Sequence, residues 1–177
     1  GLLDAFRDGV WLIELAPLAD PALVPQTAAN ILGLKEEPGR AILSTLTDHL
    51  RGKKILLILD NCEHLIQASS NLADALLHAC PDVHILATSR EMLGVASERA
   101  LVVPPLSMPN PNTFSSVGTD LVSALTQYEA VRLFVERAAI VIPGFPLTDK
   151  NAIAIAQICQ RLDGIPLAIE LAAVRLR

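Results

Sequence analysis

Three places in the chain combine reactive side chains with a local pattern able to position them. The first is Asp60, which ends the apolar run Ile55-Leu56-Leu57-Ile58-Leu59 and precedes Asn61. A continuous run of this kind reads as a parallel strand buried on both faces, and the carboxyl ends of such strands face the crevice where open α/β sheets bind ligands. A carboxylate there can hold Mg²⁺, directly or through water, beside the phosphates of a nucleotide. The plainer alternative is that Asp60 caps the helix that follows. The second place is Ala87-Thr88-Ser89-Arg90, which puts a guanidinium at the end of another apolar run. Arginine suits bidentate contact with phosphate and the sensing of a terminal phosphate; a solvated surface charge is the other reading. The third is Leu162-Asp163-Gly164-Ile165-Pro166-Leu167-Ala168, a tight turn opening a helix. Seen alone it is a Gly-Pro helix start and nothing more.

The elements that must carry these residues alternate along the chain. Runs at 10–15, 54–59, 83–88 and 101–103 are short, apolar and bounded by turn or charge signals, and read as strands. Between them, Leu65, Ala68, Leu72, Leu76 and Ala79 recur at spacings of three and four, marking a helix that ends before Pro81. Residues 22–50 read as two helices separated around Gly33 and the Pro38-Gly39 turn signal. Strands alternating with helices imply right-handed crossovers and a doubly wound parallel sheet. After Val103 the character changes: Pro104, Pro105, Pro109 and Pro111, with Asn, Ser, Thr and Gly, make an irregular stretch. Beyond it Ala130, Leu133, Phe134, Arg137, Ala138 and Val141 share one helical face. Ile155, Ile158, Cys159 and Leu162 share a second, with Thr148 or Asp149 as N-cap. Pro166 opens a third helix, where its missing N–H costs nothing. The expected organisation is an α/β domain over 1–105, a linker over 106–125 and a helical subdomain over 126–177.

Composition narrows the functions. The chain has 177 residues, 51% hydrophobic, 3% aromatic and 19% charged, with a formal net charge of −5. That length supports a core without disulfides or a structural metal. Uninterrupted apolar runs such as 55–59 and 138–142 fall far short of the ~18 residues that span a bilayer. An acidic balance with only Lys53-Lys54 as a basic pair offers no stripe for a nucleic-acid backbone, which argues against direct DNA contact by this segment. Cys62, Cys80 and Cys159 are odd in number and dispersed, as in reduced, intracellular proteins, and no secretion signal opens the chain, so the expected location is the cytoplasm. Cys62-x-His64 and Cys80-x-x-x-His84 are too sparse for zinc, Glu36-Glu37 reads as solvated surface, and neither a G-x-S-x-G elbow nor a G-x-G-x-x-G fingerprint occurs.

Taken together and in order, the strand ending in Asp60, the Thr88-Ser89-Arg90 segment and Gly164-Ile165-Pro166-Leu167-Ala168 resemble the nucleotide-binding module of signal-transduction ATPases, the NB-ARC group of the STAND class. Asp8-Gly9-Val10-Trp11-Leu12, Leu59-Asp60-Asn61-Cys62-Glu63-His64-Leu65, Ala87-Thr88-Ser89-Arg90-Glu91 and residues 163–171 are similar to those of bacterial LuxR-type and related transcriptional activators. The resemblance covers nearly the whole chain, least clearly 107–126. It implies a P-loop-NTPase-like sheet and an ATP/ADP switch with Mg²⁺. Asp60 then matches the Walker B aspartate, Arg90 the sensor arginine facing the γ-phosphate, and Gly164 and Pro166 the GLPL-type turn, whose proline packs near adenine. DNA-binding and sensor segments would lie elsewhere in the full protein. Asn61 stands where vigorous hydrolases carry an acidic residue, which implies slow turnover; Glu63 is the candidate substitute base, with an exposed Glu at a helix start as the other reading.

One departure is larger. A Walker A loop needs G-x-x-x-x-G-K-[ST], and the only Gly-Lys pair, Gly52-Lys53, enters a strand instead of leaving one. By the family's order that loop precedes Gly1, residues 1–7 end its helix, and its strand lies between the 83–88 and 101–103 strands. The chain alone is therefore expected not to bind ATP, and 101–103 to shift inward, borrow a partner from a second molecule, or come loose, of which intermolecular contact at that edge or a displaced 101–103 is the favoured expectation. Self-association at that edge follows from the same reasoning. A nucleotide-free interaction scaffold is the rival reading.

Overall fold

The computed structural model describes residues 2–110 and 121–176. They form two compact units that divide between Leu101 and Val102. The first contains α1 (Leu2–Ala5), β1 (Val10–Glu14), α2 (Val24–Ile31), α3 (Ile42–Leu50), β2 (Ile55–Asp60), α4 (Ile66–Ala79) and β3 (Val83–Ala87). Gly33 and Gly39 both adopt positive φ, at 74° and 78°, and interrupt the helical stretch between β1 and β2 where the turn signals place the break.

The three strands are parallel in the order β1-β2-β3, with Val10 opposite Leu56 and Leu56 opposite His84. This register assigns each residue to a face. Ile13, Leu57, Leu59 and Val83 join Val24, Ala28, Leu46, Leu50, Leu72 and Leu76 in one buried cluster, so α2, α3 and α4 cover this side. The opposite side carries the row Leu12, Ile58 and Leu86, of which Leu12 is 50% and Leu86 53% exposed.

That arrangement corrects the doubly wound sheet expected from sequence; β2 itself is buried along most of its length, Leu56 on the second face included, with Ile58 partly exposed. Three strands laid down successively in one direction, each reached by a right-handed crossover, must carry all their connecting helices on one face. Covering the second face requires the strand order to reverse, and no described strand lies beyond β3. The α/β class and the three-strand parallel core are as read from sequence.

Residues 101–103 form no strand. Leu101, Val102 and Val103 are 89%, 84% and 82% exposed, the loose outcome of the three anticipated. Three residues gain few ladder bonds, and Pro104 and Pro105 directly after them can donate none.

The second unit contains α5 (Leu121–Thr126), α6 (Glu129–Val141), α7 (Asp149–Arg161) and α8 (Pro166–Ala173) around Leu125, Phe134, Ala138, Ile155, Cys159 and Ile169. The linker assigned to 106–125 is helical from Leu121 onward, because Leu125 is fully buried; residues 111–120 of that linker lie outside the described residues. Thr148 and Asn151 form a reciprocal capping box at the start of α7. At α6 the cap comes from a distance: the Ser107 hydroxyl accepts from the Glu129 N–H at 3.0 Å, while the Ser107 N–H and hydroxyl both donate to the Glu129 carboxylate at 3.0 Å. Those two donors hold the Glu129 carboxyl below its ordinary pKa.

Candidate functional site

Asp60 is the last residue of β2 and lies beside Glu14 on β1. Strand alternation puts its side chain on the face not covered by helices, where that face meets the carboxyl edge of the sheet. Its Oδ1 accepts a hydrogen bond from the Thr88 hydroxyl at 2.5 Å, and the same hydroxyl accepts from the Asn61 N–H at 2.9 Å. The ladder continues past β3 through the Thr88 N–H to Leu59 O and the Cys62 N–H to Thr88 O, both 2.9 Å. Thr88 therefore sews the two strand ends together and fixes one oxygen of Asp60. Asp60 does not cap the next turn. That position belongs to Asn61, in the left-handed region at φ 65°, with no side-chain capping bond. Asn tolerates this conformation better than most residues, and it redirects the chain into the single turn Cys62–His64.

That turn buries Cys62 completely and leaves Glu63 largely covered, in place of the exposed Glu at a helix start that is the other sequence reading. The Glu63 carboxylate pairs with Arg90 Nε at 3.2 Å; the Glu63 side chain is 20% exposed and that of Arg90 85%. The loop after Arg90 is pinned by Glu98, whose two carboxylate oxygens accept from the Leu93 and Gly94 N–H groups at 3.0 and 2.8 Å. His64 lies between Asn61, 3.4 Å from Nδ1, and the Leu18 carbonyl, 2.8 Å from Nε2. Nε2 donates to the carbonyl, which leaves Nδ1 as an acceptor for the Asn61 amide in the neutral ring.

Asp60, Glu63 and Arg90 thus share one edge of the first unit. Gly164 and Pro166 belong to the second unit. Gly164 has φ 67°, and a Cβ there would strike the Leu106 carbonyl oxygen; the Leu106 N–H donates to Gly164 O at 2.9 Å. Pro166 is the first residue of α8, a position where no N–H is needed. The chain's own packing accounts for the glycine.

Burial pushes all three thiols up. For Cys62 the nearby Asp60 and Glu63 charges add to the effect, and Cys159 reaches about 11. None is a nucleophile near neutral pH. Among the described residues no group of three or more His, Cys, Asp or Glu side chains could hold a metal by itself; a Mg²⁺ on Asp60 would take its remaining ligands from water and phosphate. Two surface hollows, of about 500 Å³ at Glu36–Ile42 and about 160 Å³ between Thr126 and Leu147, are lined by none of the candidate residues. No described helix is long and apolar enough to cross a membrane.

Thr88 is the residue at this edge to which the sequence motifs assign no role, though it holds Asp60 and the Asn61 N–H. Its signal lay in register: once β2 and β3 pair in parallel, the residue after Ala87 must stand beside Asp60.

Comparison with known proteins gives relatives but no solved fold. A Mycobacterium tuberculosis protein named as a proposed HTH-type transcriptional regulator is 44% identical over 171 residues, which is 97% of this chain and 17% of that protein. A Mycobacterium bovis protein of the same description matches to the same extent. An uncharacterized Mycobacterium tuberculosis protein is 39% identical over 170 residues, 96% of this chain and 39% of its own length. No family model and no solved structure matches. The chain is therefore similar, over nearly all its length, to a part of these longer proteins: 17% of the first two and 39% of the third.

Proposed function

We propose that this chain is part of an ATP/ADP switch module of the NB-ARC/STAND type, within a longer, cytoplasmic transcriptional regulator of the LuxR kind. The observation that carries the reading is the edge at β2 and β3. A carboxylate oriented by Thr88 ends β2 and an exposed guanidinium follows in the loop three residues past the end of the adjacent β3, a placement suited to Mg²⁺ and a terminal phosphate. The relatives named as HTH-type regulators support the regulatory part of the reading.

Two further features fit a P-loop-NTPase-like sheet. The outer edge of β3 pairs with no described strand, and Phe6, just after α1, packs its ring edge-on against His84 at 5.2 Å on β3's uncovered face. A chain that arrives at β1 from that side matches a right-handed crossover from a strand beyond β3, with its helix on the uncovered face. A phosphate-binding loop would join such a strand to such a helix.

In this reading Asp60 supports Mg²⁺ and Arg90 reads the γ-phosphate, while Gly164 and Pro166 are the residues of the helical unit that match the family's GLPL-type turn. Nucleotide state then biases how the helical unit meets the regulator's DNA-binding and sensor segments. Turnover is slow, because Asn61 stands where an acidic base would be needed.

The test is calorimetric titration of Mg-ATP into this chain and into the full-length protein. The chain alone shows no micromolar binding, since Asp60 and Arg90 cannot replace converging N–H donors and a lysine. The full-length protein binds, and Asp60→Ala weakens the Mg²⁺-dependent part. Absence of nucleotide binding by the full-length protein would leave the interaction scaffold as the function.

A further inference from the structure

We infer that Glu63 gates Arg90, holding its guanidinium away from a terminal phosphate and so shifting the module's preference toward the nucleoside diphosphate; this rests on the nucleotide-switch reading above. The contact is asymmetric. Glu63 sits on a turn whose path is fixed on both sides, before it by the left-handed Asn61 and by buried Cys62, whose N–H is bonded to Thr88 O at 2.9 Å, and after it by His64, whose Nε2 donates to Leu18 O at 2.8 Å. Its side chain is 20% exposed, against 85% for Arg90. The carboxylate is therefore the fixed partner and the guanidinium the one free to leave.

Electrostatics makes the exchange specific. Asp60 and Glu63 are both close enough to raise the Cys62 thiol, so the edge that would receive phosphates carries two carboxylates. Pairing with Arg90 neutralises one of them. A diphosphate that does not reach Arg90 leaves the pair intact. A triphosphate that engages Arg90 gains a charge-assisted contact but shares a guanidinium whose Nε is held by Glu63, or draws it off, and in either case sets its γ-phosphate beside the Glu63 charge. Glu63 thus taxes the triphosphate alone. With Arg90 85% exposed the pair is screened from its outer side, and a pair so open to water is weak enough for the exchange to be reversible, as a switch requires.

The experiment is a double-mutant cycle on the full-length protein, with Mg-ATP and Mg-ADP affinities for the wild type, Glu63→Gln, Arg90→Ala and the double variant. Glu63→Gln raises ATP affinity about two- to fivefold, the range an exposed ion pair can supply, while ADP affinity stays within about twofold. In the Arg90→Ala background the same substitution changes neither. An equal gain for ADP, or a gain that survives in the Arg90→Ala background, would show a general charge effect and overturn the gate while leaving the switch intact. Failure of the wild type to bind either nucleotide would overturn both. A second measurement needs no nucleotide: the Arg90 Nε–H resonance of this chain, followed by NMR, shifts and exchanges faster in Glu63→Gln. An unchanged resonance would mean that the pair is not formed in solution, and the gate would fall on that ground alone.

Discussion

One oxygen of Asp60 is committed to the Thr88 hydroxyl, so Thr88→Val separates how that carboxylate is held from the charge it carries. The substitution keeps shape, removes the donor to Asp60 and leaves the Asn61 N–H without its acceptor. Losing those bonds at a half-exposed edge costs about 1–2 kcal/mol, to be read as a lower urea midpoint with unchanged slope; a midpoint equal to wild type would show that water replaces the hydroxyl. A second test concerns His49, whose Nε2 lies 2.7 Å from Lys53 Nζ. Burial, and then the Lys53 charge, lower its pKa from 6.5. The unfolded chain then binds more protons than the folded one just below that value, so stability falls as the pH drops through it. His49→Gln should flatten the fall in Tm between about pH 7 and 5.5; an identical slope would place the titrating group elsewhere. At this scale the sequence was readable for charge and opaque for partnership. Asp60 and Arg90 stood out by type and position, whereas the Glu63–Arg90 pair depends on the left-handed turn at Asn61, which no spacing rule reveals.

Elements were legible wherever apolar period and punctuation agreed. The α4 stripe, the break between α2 and α3, the Thr148 cap and Pro166 at the start of α8 follow from local chemistry alone. Leu121–Thr126 did not, because its two buried-side leucines follow a run of Ser, Thr, Gly and Asn that reads as loop. The Asp163-Gly164 turn shows how an element can be read by motif and still be explained by packing. Gly164→Ala should destabilise the helical unit by about 2–4 kcal/mol, combining the positive-φ penalty with the displacement of Leu106, whose N–H bonds to Gly164 O. Gly39→Ala is the control, since φ is equally positive at 78° but nothing lies within 4 Å of the added carbon. It should cost about 1–2 kcal/mol, and thermal melts of the two variants compared side by side give the difference. Equal losses would mean that Leu106 yields without penalty, and that the close contact does not require glycine.

For the molecule as a whole, strand order decides more than strand identity. The sequence shows three parallel strands and their crossover helices, but not that they follow one another in a single direction, and that direction is what leaves a face bare. The row Leu12, Ile58 and Leu86 is apolar across all three strands, a surface of the kind that mediates association when large enough. If that face drives self-association of this chain, a charge at its centre of exposure should abolish it at little cost to folding. Leu86 is 53% exposed, so Leu86→Lys gives up only part of a leucine's transfer energy, and the lysine stem can lie along Ile58 while its ammonium reaches water. The expected loss of stability is under about 1 kcal/mol. Sedimentation velocity across a range of concentrations should show wild-type chain shifting to larger species and Leu86→Lys remaining monomeric. The same substitution at β2 distinguishes the face from the edge: Ile58→Lys disrupts association by the same route, whereas pairing along β3's free edge, which runs through backbone groups, would tolerate both. Association that persists in both variants would therefore assign contact to the β3 edge, and a wild-type chain that stays monomeric throughout would show that the apolar row is too small to bring two copies together.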